Sequence, residues 1–256
     1  MEKPVLLDIV DGIGTITLNR PHVGNALDQE GFRALMHAAI TVDEDPEVRC
    51  VVLTGSDRFF CAGGDVAAFS KSGDKIGTVV KEVTIYLNGA ISRLSRMNKP
   101  LVNSINGAVA GAGLGIALFG DIVIASDTAV FTTAYSKIGL SPDGGVSWIL
   151  PRLVGLRTAQ ELAITSRIIS AEEAKAIGMI TEVVPAAELA ARTQAVAQQM
   201  VSSNTASLGS LRTLFLGSYS NSLETHLELE ARDLSTNAAS AGARAHSEEF
   251  AASRGR

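Results

Sequence analysis

An α/β fold is what this 256-residue sequence predicts, and three observations carry the reading. Apolar runs rich in β-branched residues alternate with longer stretches of helical periodicity through the first two thirds of the chain. Gly-rich turns close several of those runs. Hydrophobic residues make up 46% and charged residues 19%, enough to bury a sizeable core and too apolar for a disordered chain.

Residues 5–10 and 13–18 flank Asp11-Gly12, a short-turn hairpin signal. Asp28 is placed to cap a helix running to Glu44, with Phe32, Leu35, Met36 and Ala39 on one face. The β-branched run 48–53 reads as a buried strand that ends at Thr54-Gly55. A second long helix is predicted over 79–97, where Val83, Tyr86, Leu87, Ala90, Ile91 and Leu94 form an apolar stripe. A strand at 101–105, a helix at 112–119 and a strand at 121–125 follow. Beyond Pro185 the strand signals stop. Four helical stretches come next, ending at 223–234 before a polar tail rich in Ala, Ser and Arg. The chain divides on this reading into an α/β core, 1–195, and a C-terminal helical region, 196–256.

The formal net charge is −5 and no long basic run occurs, which argues against a nucleic-acid partner. Two cysteines, Cys50 and Cys61, are too few for a disulfide framework and suit a reducing compartment. The opening residues lack the basic region and apolar stretch of a signal peptide, so a cytoplasmic location is expected. The stretch between Lys99 and Asp121 has no charge but contains Asn103, Ser104 and Asn106 and is broken by Gly107, Gly111, Gly113 and Gly115. It reads as strand, turn and helix, so no membrane span is expected. His22, His37, His226 and His246 are scattered without metal-ligand spacing, and no metal is expected.

Two segments share one grammar: apolar strand, Gly-rich turn, start of a helix. They are Phe59-Phe60-Cys61-Ala62-Gly63-Gly64-Asp65 and Ile105-Asn106-Gly107-Ala108-Val109-Ala110-Gly111-Ala112-Gly113. Small residues let another group approach the backbone, and the N–H groups at a helix start are free to bind an anion. Two such groups converging on one point would form an oxyanion hole. On residues alone, the favoured reading of both segments is an ordinary tight turn where helix packs on strand. A dinucleotide fingerprint fails in the second, because the third glycine position is Ile116.

These two segments, with Leu18-Asn19-Arg20-Pro21, Asn25-Ala26-Leu27, Gly139-Leu140-Ser141-Pro142-Asp143-Gly144-Gly145, Leu150-Pro151-Arg152-Leu153-Val154-Gly155 and Ser170-Ala171-Glu172-Glu173-Ala174 leading to Gly178, stand in a recognisable order. The sequence resembles the enoyl-CoA hydratase/isomerase (crotonase) superfamily from residue 5 to about residue 190, and more weakly beyond. The resemblance implies a spiral α/β core and C-terminal helices that assemble a homotrimer or a dimer of trimers. It implies an acyl- or enoyl-CoA thioester as substrate and no cofactor beyond it. It places the oxyanion donors at the Gly64 and Ala112 amides. Asn25, Ala26, Ala62, Gly63, Asp65 and Gly111 then surround the thioester and its coenzyme A path, with Asp65 capping the helix after the first loop, and Tyr135 reads equally as acyl-pocket lining or as an ordinary buried tyrosine.

The reaction turns on which carboxylate is present. Hydratases of the superfamily carry two glutamates, at positions occupied here by Gly115 and Tyr135. One carboxylate remains, Asp143. Locally, Pro-Asp-Gly is a turn signature and Asp commonly caps a helix such as the one expected near Gly144. In the superfamily, several isomerases carry their single catalytic acid there, and the sequence most resembles those, such as the ring-epoxide isomerase of phenylacetate catabolism. Moving a double bond from C3 to C2 needs a proton taken at C2 and returned at C4, which one carboxylate can do. Water addition favours two. The expectation is therefore an isomerase, with a hydratase second and a non-catalytic acyl-CoA-binding protein as the reading of another class. A dehalogenase branch also has this aspartate, but its histidine and tryptophan are replaced by Asn88 and Tyr135.

Overall fold

The computed structural model describes residues 2–254. Its elements run Val5–Val10 (β1), Ile13–Leu18 (β2), Gln29–Glu44 (α1), Cys50–Gly55 (β3), Phe59–Cys61 (β4), Val66–Ser70 (α2), Ile76–Arg96 (α3) and Leu101–Ile105 (β5). Ala108–Ala110 (β6), Ala112–Leu118 (α4), Ile122–Ser126 (β7), Val130–Thr132 (β8), Val146–Val154 (α5), Leu156–Thr165 (α6) and Ile169–Ser170 (β9) follow. The rest is Ala171–Ala176 (α7), Glu182–Val184 (β10), Leu189–Ser202 (α8), Thr205–Gly217 (α9), Leu223–Ala239 (α10) and Ala241–Arg254 (α11).

The hairpin turns where expected, with Asp11 and Gly12 both at positive φ. Asp28 caps α1, its Oδ1 accepting the Gly31 N–H at 2.9 Å. Six strands form one sheet in the order β1-β2-β3-β5-β7-β10, parallel except for β1. Alternation sorts its side chains between two cores. Val51 and Leu53 of β3 face the larger one, with Leu35 and Ala39 of α1 and Leu87 and Leu94 of α3. Cys50 and Val52 face a smaller one, closed by Leu189, Val196 and Ala197 of α8. Residue 195 falls inside α8. The α/β class holds, but among the described residues three α-helices, α8 to α10, stand where four helical stretches were expected, and the fourth, α11, forms in the polar tail.

A second sheet, β4-β6-β8-β9, was only partly legible: β6 forms where the sequence reads as turn. It carries the end of β4 and the start of α4 side by side. The uncharged stretch resolves into β5, β6 and α4, and among the described residues no helix is long and apolar enough to cross a membrane. The polar tail is helical as α11 over its described part, while residues 255 and 256 lie outside the described residues.

Helix α9 is stapled to the core by Arg212. Its guanidinium donates to the Met97 carbonyl, the Lys99 carbonyl at 2.6 Å and the Leu94 carbonyl at 2.8 Å, and pairs with Asp121 at 2.6 Å. Those carbonyls lie at the C-terminus of α3 and just beyond it, where groups lack helical partners. Both cysteines are free and buried, Cys50 in the smaller core and Cys61 in the larger. Burial pushes each thiol up to about 12.

Candidate active site

The site starts with one side chain that is spent on structure. Asn25, fully buried at positive φ, donates to the Ser56 carbonyl at 2.9 Å and the Phe59 carbonyl at 2.7 Å. Its Oδ1 accepts the Arg20 N–H at 2.8 Å. This lashes the loop after β2 to the strand β4, so that Leu27 pairs with Gly64. The Leu27 N–H donates to the Gly63 carbonyl at 2.8 Å, and the Asp65 N–H donates to the Leu27 carbonyl at 2.9 Å. In a planar trans peptide, a Gly63 carbonyl turned towards Leu27 aims the Gly64 N–H the opposite way.

The second amide is oriented in the same manner. The Gly111 carbonyl accepts the Leu114 N–H at 2.9 Å, which turns the Ala112 N–H outward at the start of α4. Gly111 has φ 52° and ψ −127°, a backbone region that side chains bar. The two loops touch through backbone: a methyl at Gly63 would lie 2.9 Å from the Ala110 oxygen and 3.2 Å from the Ala112 nitrogen. Among the described residues neither the Gly64 nor the Ala112 N–H has a hydrogen-bond partner. Both residues line a cavity of about 280 Å³.

Asp143 lines the same cavity and is its one carboxylate among the described residues. It does not cap α5, which is preceded by Gly145 and has no side-chain cap. The Tyr135 hydroxyl donates to Asp143 Oδ1 at 2.7 Å instead. Burial holds the Asp143 carboxyl above its ordinary value, and the tyrosine bond opposes that shift. Burial first, then the neighbouring carboxylate, pushes the Tyr135 phenol up. An oxygen acceptor therefore shares one cavity with two unpartnered amides and with the apolar side chains of Phe32, Phe69, Val80 and Val83.

Of the residues expected from sequence, Ala62, Gly64, Gly111, Ala112, Tyr135 and Asp143 share this wall, whereas Asn25, Ala26, Gly63 and Asp65 lie off it. Asp65 caps α2, accepting the Ala68 N–H at 3.0 Å. The sequence reading passed over Arg20. Its guanidinium pairs with Asp28 at 2.9 Å and Asp65 at 3.1 Å and donates to the Ala26 carbonyl, tying the caps of α1 and α2 together. An arginine six residues or more from its partners leaves no local signal. Lys137 on the cavity wall was also missed.

A match to the enoyl-CoA hydratase/isomerase family extends over residues 8–254. The chain belongs to that family. Within it, the chain is 37% identical over 233 residues to the 1,2-epoxyphenylacetyl-CoA isomerase of Escherichia coli, covering 90% of this chain and 88% of that one. It is 38% identical over 228 residues to a protein of Rhodobacter capsulatus named "probable enoyl-CoA hydratase", covering 88% and 86% of the two. A solved enoyl-CoA hydratase from Polaromonas superposes with a TM-score of 0.93 at 30% identity, covering 97% of each chain. The family expected from the seven motifs is the family found, and a ring-epoxide isomerase is among the relatives. Family names span hydratases and isomerases alike.

Proposed function

We propose that this protein is a coenzyme A thioester isomerase that shifts a double bond, of the Δ3-to-Δ2 enoyl-CoA type or a related aryl-CoA isomerisation. The observation that carries the reading is the lone carboxylate, Asp143, on a cavity wall with two unpartnered amides. With the thioester oxygen accepting from Gly64 and Ala112, C2 becomes acidic. Each donor of this kind is worth roughly 3 kcal/mol in the transition state. Ionised Asp143 takes the C2 proton, and the electron pair moves into a dienolate whose charge rests on the thioester oxygen. The same carboxyl returns the proton at C4, the bond closes between C2 and C3, and the enzyme is restored. Tyr135 occupies Oδ1, leaving Oδ2 for the substrate. The apolar wall favours return of the captured proton over attack by water. Asn25 and Ala26 support the coenzyme A path from behind the first loop, and Asp65 keeps that loop in shape.

The reading includes neither metal nor redox cofactor, because base and oxyanion donors complete the proton transfer. It includes self-association as a trimer or a dimer of trimers through the C-terminal helical region. Exposed Phe215, Tyr219, Leu223, Leu227 and Leu234 on and around α9 and α10 support that assembly.

The deciding measurement compares wild-type rates on 3-enoyl-CoA and 2-enoyl-CoA substrates of one chain length. Isomerisation is expected to exceed hydration, to survive chelators and to fall by about 10²–10⁴-fold in Asp143→Asn with thioester binding retained. Hydration outpacing isomerisation would transfer the assignment to a hydratase. Binding without turnover of either substrate would leave an acyl-CoA-binding protein.

A further inference from the structure

Helix α4 carries two glycines that neighbouring backbone approaches more closely than a side chain permits. A methyl at Gly113 would lie 2.4 Å from the Cys61 carbonyl oxygen, and one at Gly115 would lie 2.4 Å from the Gly144 carbonyl oxygen. Real contacts of a Cβ essentially never fall below 3.0 Å. Residues two apart on a helix point about 200° apart, so α4 is gripped from opposite sides. At Gly113 it meets the end of β4, which leads into the first donor loop. At Gly115 it meets the turn that carries Asp143. Gly144 is itself closely packed: a methyl there would stand 3.2 Å from Leu87 Cδ2 and 3.2 Å from Ile91 Cδ1, both on α3.

We infer that Gly115 is a positioning residue that determines reaction specificity: its missing side chain is the seat of the Asp143 turn. The helix whose first amide is the second oxyanion donor thereby also sets where the carboxylate stands relative to that donor. The same seat excludes a second carboxylate. A glutamate at 115 would need the space already filled by Gly144 backbone, so a two-carboxylate arrangement from α4 and the Asp143 turn cannot coexist in this packing. Among the described residues Tyr135 is the one titratable side chain bonded to Asp143, and Lys137 faces the same cavity. Displacing the turn by an ångström stretches the Tyr135 bond and misaligns the proton acceptor.

The inference rests on Asp143 as the acid/base, and its test reads geometry and turnover separately. The titration of the Asp143 carboxyl, followed by carbon-13 NMR on labelled protein, depends on the seat whatever the reaction is. Isomerase kcat and KM depend on both. In Gly115→Ala, the Asp143 titration is expected to move upward as the tyrosine bond is lost. The kcat is expected to fall about 100-fold with KM changed less than about threefold. If Gly115→Ala fails to fold, Gly115→Ala with Leu87→Ala opens room behind Gly144 on the α3 side and is read against Leu87→Ala alone. A folded variant in which Asp143 titrates as in the wild type overturns the seat. A moved titration with unchanged kcat overturns its part in turnover. Failure of the wild type to isomerise overturns the proposed function and leaves the titration to decide the seat.

Discussion

Asp143 is a carboxylate that the fold makes easy to protonate, and the sign of that shift has two consequences. Burial raises its folded value above the ordinary 3.8. Between those two values the native protein holds a proton that the unfolded chain has released. Stability is therefore lost as pH rises through the window and stays lower at neutral pH. Asp143→Asn, which keeps an acceptor for Tyr135, is expected to melt higher than wild type at pH 7, with roughly 2–4 °C for each kcal/mol relieved. The gap should close near pH 4; a gap that persists there, or a lower melting point at pH 7, contradicts the assigned burial. Tyr135→Phe removes the bond that favours the charged carboxyl, so Asp143 should rise further. The acid limb of kcat/KM is then expected to shift to higher pH while the plateau falls less than about tenfold. An unmoved limb would mean that Tyr135 only fills space.

At the scale of elements, the long strands and helices were legible because each carries its own periodicity and turn chemistry. Leu101–Ile105 is apolar at most positions, and α3 displays its stripe from Val83 to Leu94. The short second sheet was not, since β6 and β8 are three residues each and their pairing is set by distant neighbours. The candidate site was legible in its backbone donors, where glycine marks close approach, and in Asp143. Its scaffold was not. Asn25 looked like part of a substrate path, yet its amide is consumed by Ser56 and Phe59, and Arg20 joins two caps separated by 37 residues through partners that no local window contains. Arg20→Met is expected to leave Asp28 and Asp65 unpaired, destabilising the fold by about 2 kcal/mol and lowering the melting point by about 4–8 °C. It should also depress kcat without moving the Asp143 titration, because the loosened parts are the donor loops. Equal melting points would reduce the pairings to surface contacts.

At the scale of the whole molecule, α9 is anchored and α10 is not covered. Arg212 holds α9 against the end of α3, whereas none of the 17 residues of α10 is buried. Leu223, Leu227 and Leu234 recur at helical spacing and stand more than half exposed. With the proposed assembly, light scattering should return three or six times 26.7 kDa, and Leu223→Asp with Leu227→Asp should lower that mass. A wild-type monomer at micromolar concentration would remove assembly from the reading.

The two sealed thiols make the protein its own chemical clock. Alkylation needs a thiolate within reach of solvent, and Cys50 and Cys61 offer neither while their surroundings stay closed. Each labelling rate therefore reports how often one neighbourhood opens, Cys61 beneath the first donor loop and Cys50 beneath α8. Matching rates in native buffer would describe a molecule that opens only as a unit. A faster Cys61 would show the neighbourhood of the first donor loop breathing while the face under α8 stays shut, and with the proposed function a saturating thioester should then slow that thiol alone.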